Sequence, residues 1–276
     1  MALAWEGVFE MPCPGRSRKP RKNGFTMVID KGLGLPRTQD LIETAAEVVD
    51  DVKLTFGTSA FYDGDLLKRK NEMLRAAGID CMPGGTFLEV SVWQRRYPQF
   101  LKRAKDLGFS MIEVSDGTIE MSAETRKDCI KRALDAGFRV ISEIGKKDPS
   151  EKVSLSLMHE QIASDLALGV YKVIVEAREA GKNVGIYDKD GKTRMDEVDA
   201  ILSGVKDPDV LVWEAPLKNQ QQDLILRFGV NVNLGNIPPE DVLALEALRQ
   251  GLRGDTLKRA YLADPEFGSR RSRRTV

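Results

Sequence analysis

The sequence contains few of the residues on which several common kinds of site depend. Its three cysteines, Cys13, Cys81 and Cys129, are far apart and odd in number, which fits neither a disulfide framework nor a CxxC metal site. We therefore expect a reducing compartment and a cytoplasmic location. His159 is the only histidine, so a Ser-His-Asp triad or a His-rich metal site would have to be built around it. It stands at the predicted start of a helix, away from the strand ends, and we expect it to be structural or solvated.

The sequence also lacks an excess of either charge and any long apolar run. Lysine plus arginine and aspartate plus glutamate both number 42, so no general positive field exists to attract nucleic acid or an anionic membrane. No run of about 18 apolar residues occurs, and the amino-terminal segment has no apolar core typical of a signal peptide. We expect neither a nucleic-acid partner nor a membrane span.

What the sequence does contain is a regular alternation of short β-rich runs with longer amphipathic stretches. The eight predicted strands are Thr26–Asp30, Val52–Phe56, Asp80–Met82, Met111–Ser115, Arg139–Ile144, Lys172–Glu176, Val210–Glu214 and Val230–Leu234. Such alternation requires crossover helices and a parallel sheet, and 276 residues suit one such unit. We predict the α/β class and a single (β/α)8 TIM barrel. A doubly wound open sheet is the alternative, but it usually has fewer strands, and no GxGxxG follows the first strand.

The boundaries of the repeat are marked by glycines and by unusual segments. The predicted helices are Thr38–Val49, Asp65–Ala77, Ala123–Ala136, Met158–Leu168, Met195–Leu202, Gln220–Phe228 and Pro239–Arg249. Gly78, Gly108, Gly137 and Gly169 each precede a strand, as left-handed helix caps would. A small hairpin is predicted over residues 185–192. We divide the chain into an extension over 1–23, the barrel over 24–262 and a basic tail over 263–276.

Acidic residues stand at the ends of four predicted strands, where the active sites of these barrels lie. They are Glu113, Glu143, Glu176 and Glu214, and each follows apolar β-formers. Because an unpaired carboxylate is costly to bury between sheet and helices, we expect all of them to point into the barrel mouth. Carboxylates that converge there repel one another unless a cation lies among them, and Mg²⁺ prefers oxygen ligands. Glu143, Glu176 and Glu214 are the candidate ligands for Mg²⁺.

Basic residues near these strand ends offer an alternative to the metal and a source of protons. Lys53, Lys146, Lys147 and Arg178 would form a plain ion-pair network with the glutamates. Lys147 follows Glu143 by four positions and shares its face if the strand continues, whereas Lys146 would then point away. Lys147 is therefore our preferred catalytic acid. A desolvated lysine among cations can have a lowered pKa suited to proton transfer, whereas an exposed lysine is only a solubilising charge, and the sequence leaves both open. Lys146 and Glu113 are the other catalytic candidates.

Glycine-rich turns follow several strands and are candidates for binding an anion. Pro83-Gly84-Gly85-Thr86 follows the third strand, and Gly235-Asn236 follows the eighth and opens a helix. Backbone amides at helix starts bind anions, and the loops after strands seven and eight commonly bind phosphate in these barrels. Ordinary connection geometry explains each turn equally well when it is taken singly.

The sequence resembles the phosphosulfolactate synthase family over about Gly24 to Leu262. The stretches that carry the resemblance are Gly24-Phe25-Thr26-Met27-Val28-Ile29-Asp30-Lys31-Gly32-Leu33-Gly34, Val52-Lys53 with Phe56-Gly57-Thr58-Ser59-Ala60, Pro83-Gly84-Gly85-Thr86, Glu113-Val114-Ser115-Asp116-Gly117, Ser142-Glu143-Ile144-Gly145-Lys146-Lys147, Glu214-Ala215-Pro216-Leu217-Lys218, Asn231-Val232-Asn233-Leu234-Gly235-Asn236-Ile237 and Arg249-Gln250-Gly251-Leu252-Arg253-Gly254-Asp255-Thr256. Their conserved order along the chain makes the match more specific than any single motif.

The resemblance implies a barrel enzyme that joins sulfite to phosphoenolpyruvate with Mg²⁺, giving (2R)-phospho-3-sulfolactate, an early intermediate of coenzyme M synthesis. Substrate-binding candidates at matched positions are Asp30, Lys53, Gly84, Gly85, Thr86, Arg178, Asn233, Gly235 and Asn236. The small-molecule partners would then be phosphoenolpyruvate and sulfite, or a similar pair of anions. A homo-oligomer is also expected.

Two stretches depart from the pattern that the resemblance predicts. Residues 176–181 read Glu-Ala-Arg-Glu-Ala-Gly where Glu-Gly-Arg-Glu-Ser-Gly is expected, and residues 54–57 read Leu-Thr-Phe-Gly where Phe-Gly-Trp-Gly is expected. Plant heat-stress-associated relatives share this fold. Two alternatives therefore remain: a barrel lyase or synthase acting on a different anionic molecule, and a non-catalytic stress-associated protein.

Overall fold

The computed structural model describes residues 4–148, 150–151 and 153–264 and contains eight parallel strands. The strands are β1 Thr26–Asp30, β2 Asp51–Leu54, β3 Asp80–Met82, β4 Met111–Val114, β5 Arg139–Ile144, β6 Lys172–Val175, β7 Leu211–Glu214 and β8 Leu234–Ile237. They lie in the order β3-β2-β1-β8-β7-β6-β5-β4. A backbone hydrogen bond of 3.1 Å from Ser110 N to Cys81 O links the two edge strands, so the sheet nearly closes. The predicted (β/α)8 barrel is confirmed.

Helices connect the strands on the outside of the barrel. They are α1 Leu35–Ala45, α2 Gly64–Ala76, α3 Gly85–Trp93, α4 Tyr97–Asp106, α5 Ala123–Asp135, α6 Leu155–Ala167, α7 Met195–Leu202, α8 Lys218–Phe228, α9 Val242–Arg249 and α10 Gly254–Ala263. The predicted caps at Gly78, Gly108, Gly137 and Gly169 are confirmed, because all four have positive φ. No helix within the described ranges combines the length and the apolar character needed to cross a bilayer.

The eighth strand begins four residues later than the sequence predicts, so the prediction of Val230–Leu234 was wrong in register. Val230 and Val232 lie in a turn whose carbonyl oxygens accept hydrogen bonds of 2.7 Å from buried Arg249. The side chain of Asn233 accepts from Phe25 N and donates to Asp209 O and Leu211 O. These contacts, which link positions distant in sequence, hold the segment outside the ladder.

Apolar side chains fill the amino-terminal half of the barrel interior. They are Phe25, Met27, Met82, Met111, Ile141, Ile174 and Val212. Gly235 makes room for this layer, because a Cβ there would lie 2.6 Å from Met27 Cε. Since side chains alternate along a strand, the next inward positions toward the carboxyl ends carry the charged residues. Among the described residues, the polar part of the interior therefore lies toward the carboxyl-terminal end.

The amino-terminal extension packs against the opposite end of the barrel. Arg16 donates to Glu246 at 3.0 Å, and Arg21 donates to Asp50 at 2.9 Å. The predicted hairpin is present in reduced form, as one antiparallel bridge between Tyr187 and Thr193. Of the predicted basic tail, residues 265–276 lie outside the described residues, so the division of the chain into three segments stays a prediction.

His159 binds to a helix end, as expected of a structural residue. Its Nε2 lies 2.9 Å from Ile201 O and 3.2 Å from Ala200 O, at the last turn of α7. Its ring packs on Gly204, where a Cβ would come within 2.3 Å. The histidine therefore joins α6 to α7.

The carboxyl of Asp51 lies in the barrel interior, where it should make the stability of the protein depend on pH. This carboxyl is fully buried, and neither side-chain oxygen has a hydrogen-bond partner among the described residues. Burial, together with repulsion from Asp80 and Glu113, raises its pKa well above the ordinary value. The native state therefore retains a proton that the unfolded state releases, and this carboxyl costs stability as the pH rises from about 4 through its folded pKa.

We expect Asp51→Asn to abolish that pH-dependent cost. The melting temperature of the variant should match the wild type near about pH 4 and exceed it increasingly toward neutral pH. Thermal unfolding at a series of pH values measures the difference. A difference in melting temperature that does not change with pH would contradict this prediction. So would a higher melting temperature for the wild type at high pH, because Asp51 would then be ionised and paired in the native protein.

Candidate active site

Four glutamates from neighbouring strands meet inside the carboxyl-terminal end of the barrel. Glu113 lies in β4, Glu143 in β5, Glu176 directly after β6 and Glu214 at the end of β7. Each is at most 2% exposed. Their neighbours in the strands, such as Ile112 and Trp213, point outward into the core beneath the helices. The alternation of side chains along each strand therefore brings the acids together, as the sequence predicts.

Lys53 of β2 lies at the centre of this cluster. Its Nζ is 2.9 Å from Glu113 Oε1, 3.2 Å from Glu214 Oε1 and 3.5 Å from Glu143 Oε2. Burial alone would lower the pKa of this ammonium, but the surrounding carboxylates raise it well above its usual value. Lys53 is therefore a fixed positive charge at the floor of the site.

Lys147 forms the second cationic centre, and it is more accessible than Lys53. Its Nζ lies 2.6 Å from Glu143 Oε1 and 2.9 Å from Glu176 Oε2, and its side chain is 24% exposed. Burial opposes its charge, yet Glu143 and Glu176 raise its pKa above the ordinary value. The lowered pKa envisaged for a lysine among cations is not found, because carboxylates surround this one. Lys147 carries its proton throughout the neutral range.

The carboxylates differ from one another in charge state. Burial and the adjacent Glu143 raise the pKa of Glu113 to about 8. Burial also raises the pKa of Glu176, with Glu143 and Glu214 adding to the effect. Burial acts in the same direction on Glu143, but Lys147 and Lys53 outweigh it and hold the pKa of Glu143 well below its usual range. The ionised Glu143 is thus the anion that both lysines share.

A cavity of about 520 Å³ opens above these residues. Its lining includes many of the residues proposed from the sequence: Lys53, Gly84, Gly85, Thr86, Glu113, Lys147, Glu176, Arg178, Glu214 and Asn236. The Oδ1 atom of Asn236 is buried and has no partner among the described residues, so it is free to accept a hydrogen bond. Arg178 and Asn236 both have positive φ, 59° and 54°, which turns their backbones sharply at this rim.

Other proposed residues lie outside this lining. Asp30 is fully buried, where it pairs with Lys70 and accepts hydrogen bonds from Gly32 N and Leu33 N. Lys146 points away and donates to Asp116 O at 2.6 Å. Glu143 lies in the cluster itself, Gly235 packs on the apolar layer, and Asn233 lies toward the amino-terminal end.

Sequence reasoning missed two polar residues that contact the cluster. Ser115 is fully buried and donates to Glu143 Oε1 at 2.7 Å. Its spacing of two from Glu113 places both on the same face of the strand, which is a signal available in the sequence. Glu89 of α3 accepts a hydrogen bond of 2.9 Å from Ser115 Oγ. Because α3 was not predicted, no signal pointed to Glu89.

The carboxylates fit a divalent cation in charge and in donor type. One oxygen from each of Glu143, Glu176 and Glu214 can be chosen so that all three lie within 4.8 Å of one another. Four glutamates face only two lysines, and Glu113 Oε2 is buried without a hydrogen-bond partner among the described residues. A divalent cation among these oxygens would displace the protons that Glu113 and Glu176 hold without it, and a set of oxygen donors suits Mg²⁺. The ion pairs of Lys53 and Lys147 show that the network also holds together through ammonium groups.

Comparison with known sequences decides the family. The sequence model of (2R)-phospho-3-sulfolactate synthase (ComA) matches residues 14–255, a range that includes every residue of the cluster. This chain belongs to the phosphosulfolactate synthase family. Phosphosulfolactate synthase from Methanothermobacter thermautotrophicus is 43% identical over 258 residues, covering 92% of this chain and 99% of that protein. The phosphosulfolactate synthase from Methanocaldococcus jannaschii is 42% identical over 237 residues, covering 85% and 94%.

Solved structures support the fold independently of the family. The 3-hexulose-6-phosphate synthase from Salmonella typhimurium matches with a TM-score of 0.53 at 11% identity, covering 81% of this chain and 97% of that chain. At that identity the likeness shows the barrel alone. Membership of the phosphosulfolactate synthase family rests on the sequence match.

The two departures from the expected family pattern lie at the mouth of the cavity. Thr55, Phe56 and Ala180 belong to its lining. Phe56 is 54% exposed and has a φ of 57°. Ala177 is fully buried, and its N–H donates to Glu214 Oε2 at 2.9 Å. Thr55, Phe56 and Ala180 therefore border the entrance, whereas Leu54 and Ala177 are buried in the core.

Proposed function

We propose that this chain catalyses the addition of sulfite to phosphoenolpyruvate, giving (2R)-phospho-3-sulfolactate, as a carbon-sulfur lyase or synthase dependent on Mg²⁺. The observation that carries the proposal is the pairing of Lys53 and Lys147 with four buried glutamates beneath an open cavity. Relatives named phosphosulfolactate synthase, at 42% and 43% identity, connect this arrangement to that reaction. The product would be an early intermediate of coenzyme M synthesis.

The reaction needs an acid beside an accumulating negative charge. The sulfur lone pair of sulfite forms a bond to the methylene carbon of phosphoenolpyruvate while the carbon-carbon π bond breaks. The displaced electron pair resides on the adjacent carbon and its carboxylate, as in an enediolate. Lys147 Nζ then donates a proton to that carbon, and water returns a proton to the amine. Lys53 stabilises the negative charge electrostatically from the floor of the site, where water is excluded.

The proposed metal would be held by this chain's own carboxylates. Glu143, Glu176 and Glu214 are the residues that would bind Mg²⁺, with water completing its coordination. A bound divalent cation supplies Lewis-acid stabilisation to the carboxylate of the substrate. The backbone amides of Gly85 and Thr86, at the start of α3, are the donors that we propose for the anionic oxygens of the substrate.

Product analysis tests the proposal. Incubation of the purified protein with phosphoenolpyruvate, sulfite and Mg²⁺ should yield a compound with the mass of phosphosulfolactate. A chelator should stop its formation, and added Mg²⁺ should restore it. An adduct that forms equally well with a chelator would remove the metal from the proposal, and the absence of any adduct would remove the reaction.

Two alternatives give different outcomes in the same assay. A barrel lyase with another anionic substrate would bind phosphoenolpyruvate weakly and turn over a different compound, a possibility raised by the altered residues at the entrance. A non-catalytic, stress-associated protein would bind neither substrate and would keep its cellular role after Lys147→Ala. The retention of both lysines and all four glutamates favours catalysis.

We further propose that the protein is a cytoplasmic homo-oligomer. Phe61 is 87% exposed, and Trp93, on neighbouring α3, is 72% exposed. Large apolar side chains at such exposure are typical of surfaces that associate. Light scattering coupled to size exclusion measures the assembly, and a monomer at all concentrations would contradict it. The three free cysteines accord with a reducing compartment.

A further inference from the structure

Glu89 is a buried acid outside the cavity lining, and the proposed reaction does not use it directly. It is 1% exposed and lies on α3, one turn after the segment Gly85-Thr86 that borders the cavity. A buried carboxylate is costly unless its oxygens are paired. Both oxygens of Glu89 are paired, and every partner lies in the segment that connects β4 to α5.

Glu89 fastens this connecting segment at three points. Its Oε2 accepts the backbone N–H of Thr118 at 2.9 Å and that of Ile119 at 2.7 Å. Its Oε1 lies 2.9 Å from Ser115 Oγ, whose single proton is shared between Glu89 and Glu143. Charge-assisted hydrogen bonds of this kind are roughly twice as strong as neutral ones. Glu89 thus contacts the loop over residues 115–119 on both sides of Asp116, which Arg126 and Lys146 contact.

The fastened loop forms the support for Lys147. Gly117 O accepts the backbone N–H of Lys147 at 3.0 Å. A Cβ on Gly117 would lie 2.9 Å from Lys147 Nζ and 3.2 Å from its Cγ, so the lysine side chain rests directly on this glycine. Ser115 Oγ lies 2.7 Å from Glu143 Oε1 and 3.4 Å from Lys147 Nζ. The position of the proposed acid therefore depends on the same loop that Glu89 holds.

We infer that Glu89 is a positioning residue that aims the Lys147 ammonium at the substrate carbon. This inference rests on the proposed function, because it assigns Lys147 the proton-transfer step. Glu89 acts through Ser115 and the loop, without touching substrate. Removing such a supporting contact typically costs about 10- to 100-fold in activity.

Two variants at position 89 distinguish the effect of hydrogen bonding from the effect of charge. Glutamine keeps the hydrogen bonds without the charge, and leucine keeps neither. In Glu89→Gln, the amide oxygen still accepts from Thr118 N and Ile119 N, while the amide nitrogen donates to Ser115 Oγ. The hydroxyl proton then remains available to Glu143. In Glu89→Leu, a side chain of similar size loses all these hydrogen bonds. We therefore expect Glu89→Gln to keep most of the wild-type kcat and Glu89→Leu to lose about 10- to 100-fold.

The expected loss is in kcat rather than KM, because the Lys147 proton is needed in the transition state. In Glu89→Leu, the KM for phosphoenolpyruvate should change less than about threefold, and the solvent deuterium isotope effect on kcat should increase. Glu246→Leu is the matched control. Glu246 is a buried helical glutamate that accepts two hydrogen bonds from Arg16 at the other end of the barrel. Its loss should lower the melting temperature without changing the isotope effect.

Hydrogen exchange provides a readout that does not require activity. In Glu89→Leu, the amides of Thr118, Ile119 and Lys147 should exchange faster than in the wild type, whereas in Glu89→Gln they should stay protected. If the wild type is inactive but the variants show this exchange pattern, the proposed reaction is ruled out and the role of Glu89 in holding the loop is retained. An active wild type whose Glu89→Leu variant keeps kcat, isotope effect and amide protection would overturn the inference. An equal loss of kcat in the glutamine and leucine variants would also overturn the inference. The charge of Glu89, and not its hydrogen bonds to the loop, would then be the property that matters.

Discussion

Replacing Lys147 with alanine should lower kcat for adduct formation by at least about 100-fold. Lys147 is the ammonium group that both lines the cavity and is partly exposed, at 24%, so it can reach a bound substrate. Glu143 and Glu176 raise its pKa, so the proton is present at the start of each turnover. Without it, water must deliver the proton to the enediolate. Steady-state kinetics with phosphoenolpyruvate and sulfite measures the loss.

Lys146 provides a comparison at the adjacent position. Its Nζ donates to Asp116 O and does not line the cavity. Lys146→Ala should therefore lose less than about tenfold, well below the cost of removing a general acid. Equal losses from both alanine variants would show that the structure has not separated their roles. Full activity of Lys147→Ala would remove Lys147 as the acid.

Replacing Lys53 with methionine should lower the free energy of unfolding more than any other substitution proposed for this protein. Lys53 is 6% exposed and lies within 3.5 Å of three glutamates. Removing one partner of a buried ion pair typically costs about 3–5 kcal/mol, because the remaining charge is left uncompensated. Methionine keeps the length of the side chain, so the change removes the charge with little change in volume. Chemical denaturation measures the free energy of unfolding.

The pH dependence of that loss follows from the carboxylates. Without Lys53, which holds down the pKa values of Glu113 and Glu143, both values rise in the folded protein, so the native state binds protons that the unfolded state releases. The destabilisation should therefore grow as the pH rises from about 5 to about 8. At about pH 8 the double variant Lys53→Met/Glu113→Gln should recover at least about 1 kcal/mol, because it removes a buried carboxyl that must keep its proton in the native state. A loss that is independent of pH and not relieved in the double variant would point to packing instead.

The barrel and its cluster of four glutamates could be predicted because both depend on local sequence patterns. An apolar run that ends in glutamate predicts Glu113, Glu143, Glu176 and Glu214 on one interior face, since the alternation of side chains needs no knowledge of distant contacts. Glycines such as Gly78 mark helix ends through backbone conformation alone. Such local features can be recognised in one sequence without knowledge of the three-dimensional contacts.

Other features depend on contacts between distant positions. Asp30 stands at a strand end, but Lys70, which is 40 positions away, pairs with it below the helices and removes it from the cavity lining. The helix α3 contains the sequence GTFLEVSVW, whose apolar residues do not follow one face, so the usual helical period is absent. Glu89 was missed with it. The preference for Lys147 over Lys146 followed from strand alternation, but β5 ends at Ile144, and the hydrogen bond from Lys147 N to Gly117 O sets the direction of Lys147 instead.

Phosphoenolpyruvate should bind in the cavity above Lys53 and Lys147. A crystal structure of the protein with phosphoenolpyruvate and Mg²⁺ would show where it binds. We expect the substrate in that cavity, with the carbon that accepts the proton facing Lys147 Nζ and the cation among Glu143, Glu176 and Glu214. Substrate bound elsewhere, or a cavity that stays closed by its own ion pairs at saturating phosphoenolpyruvate, would contradict the account.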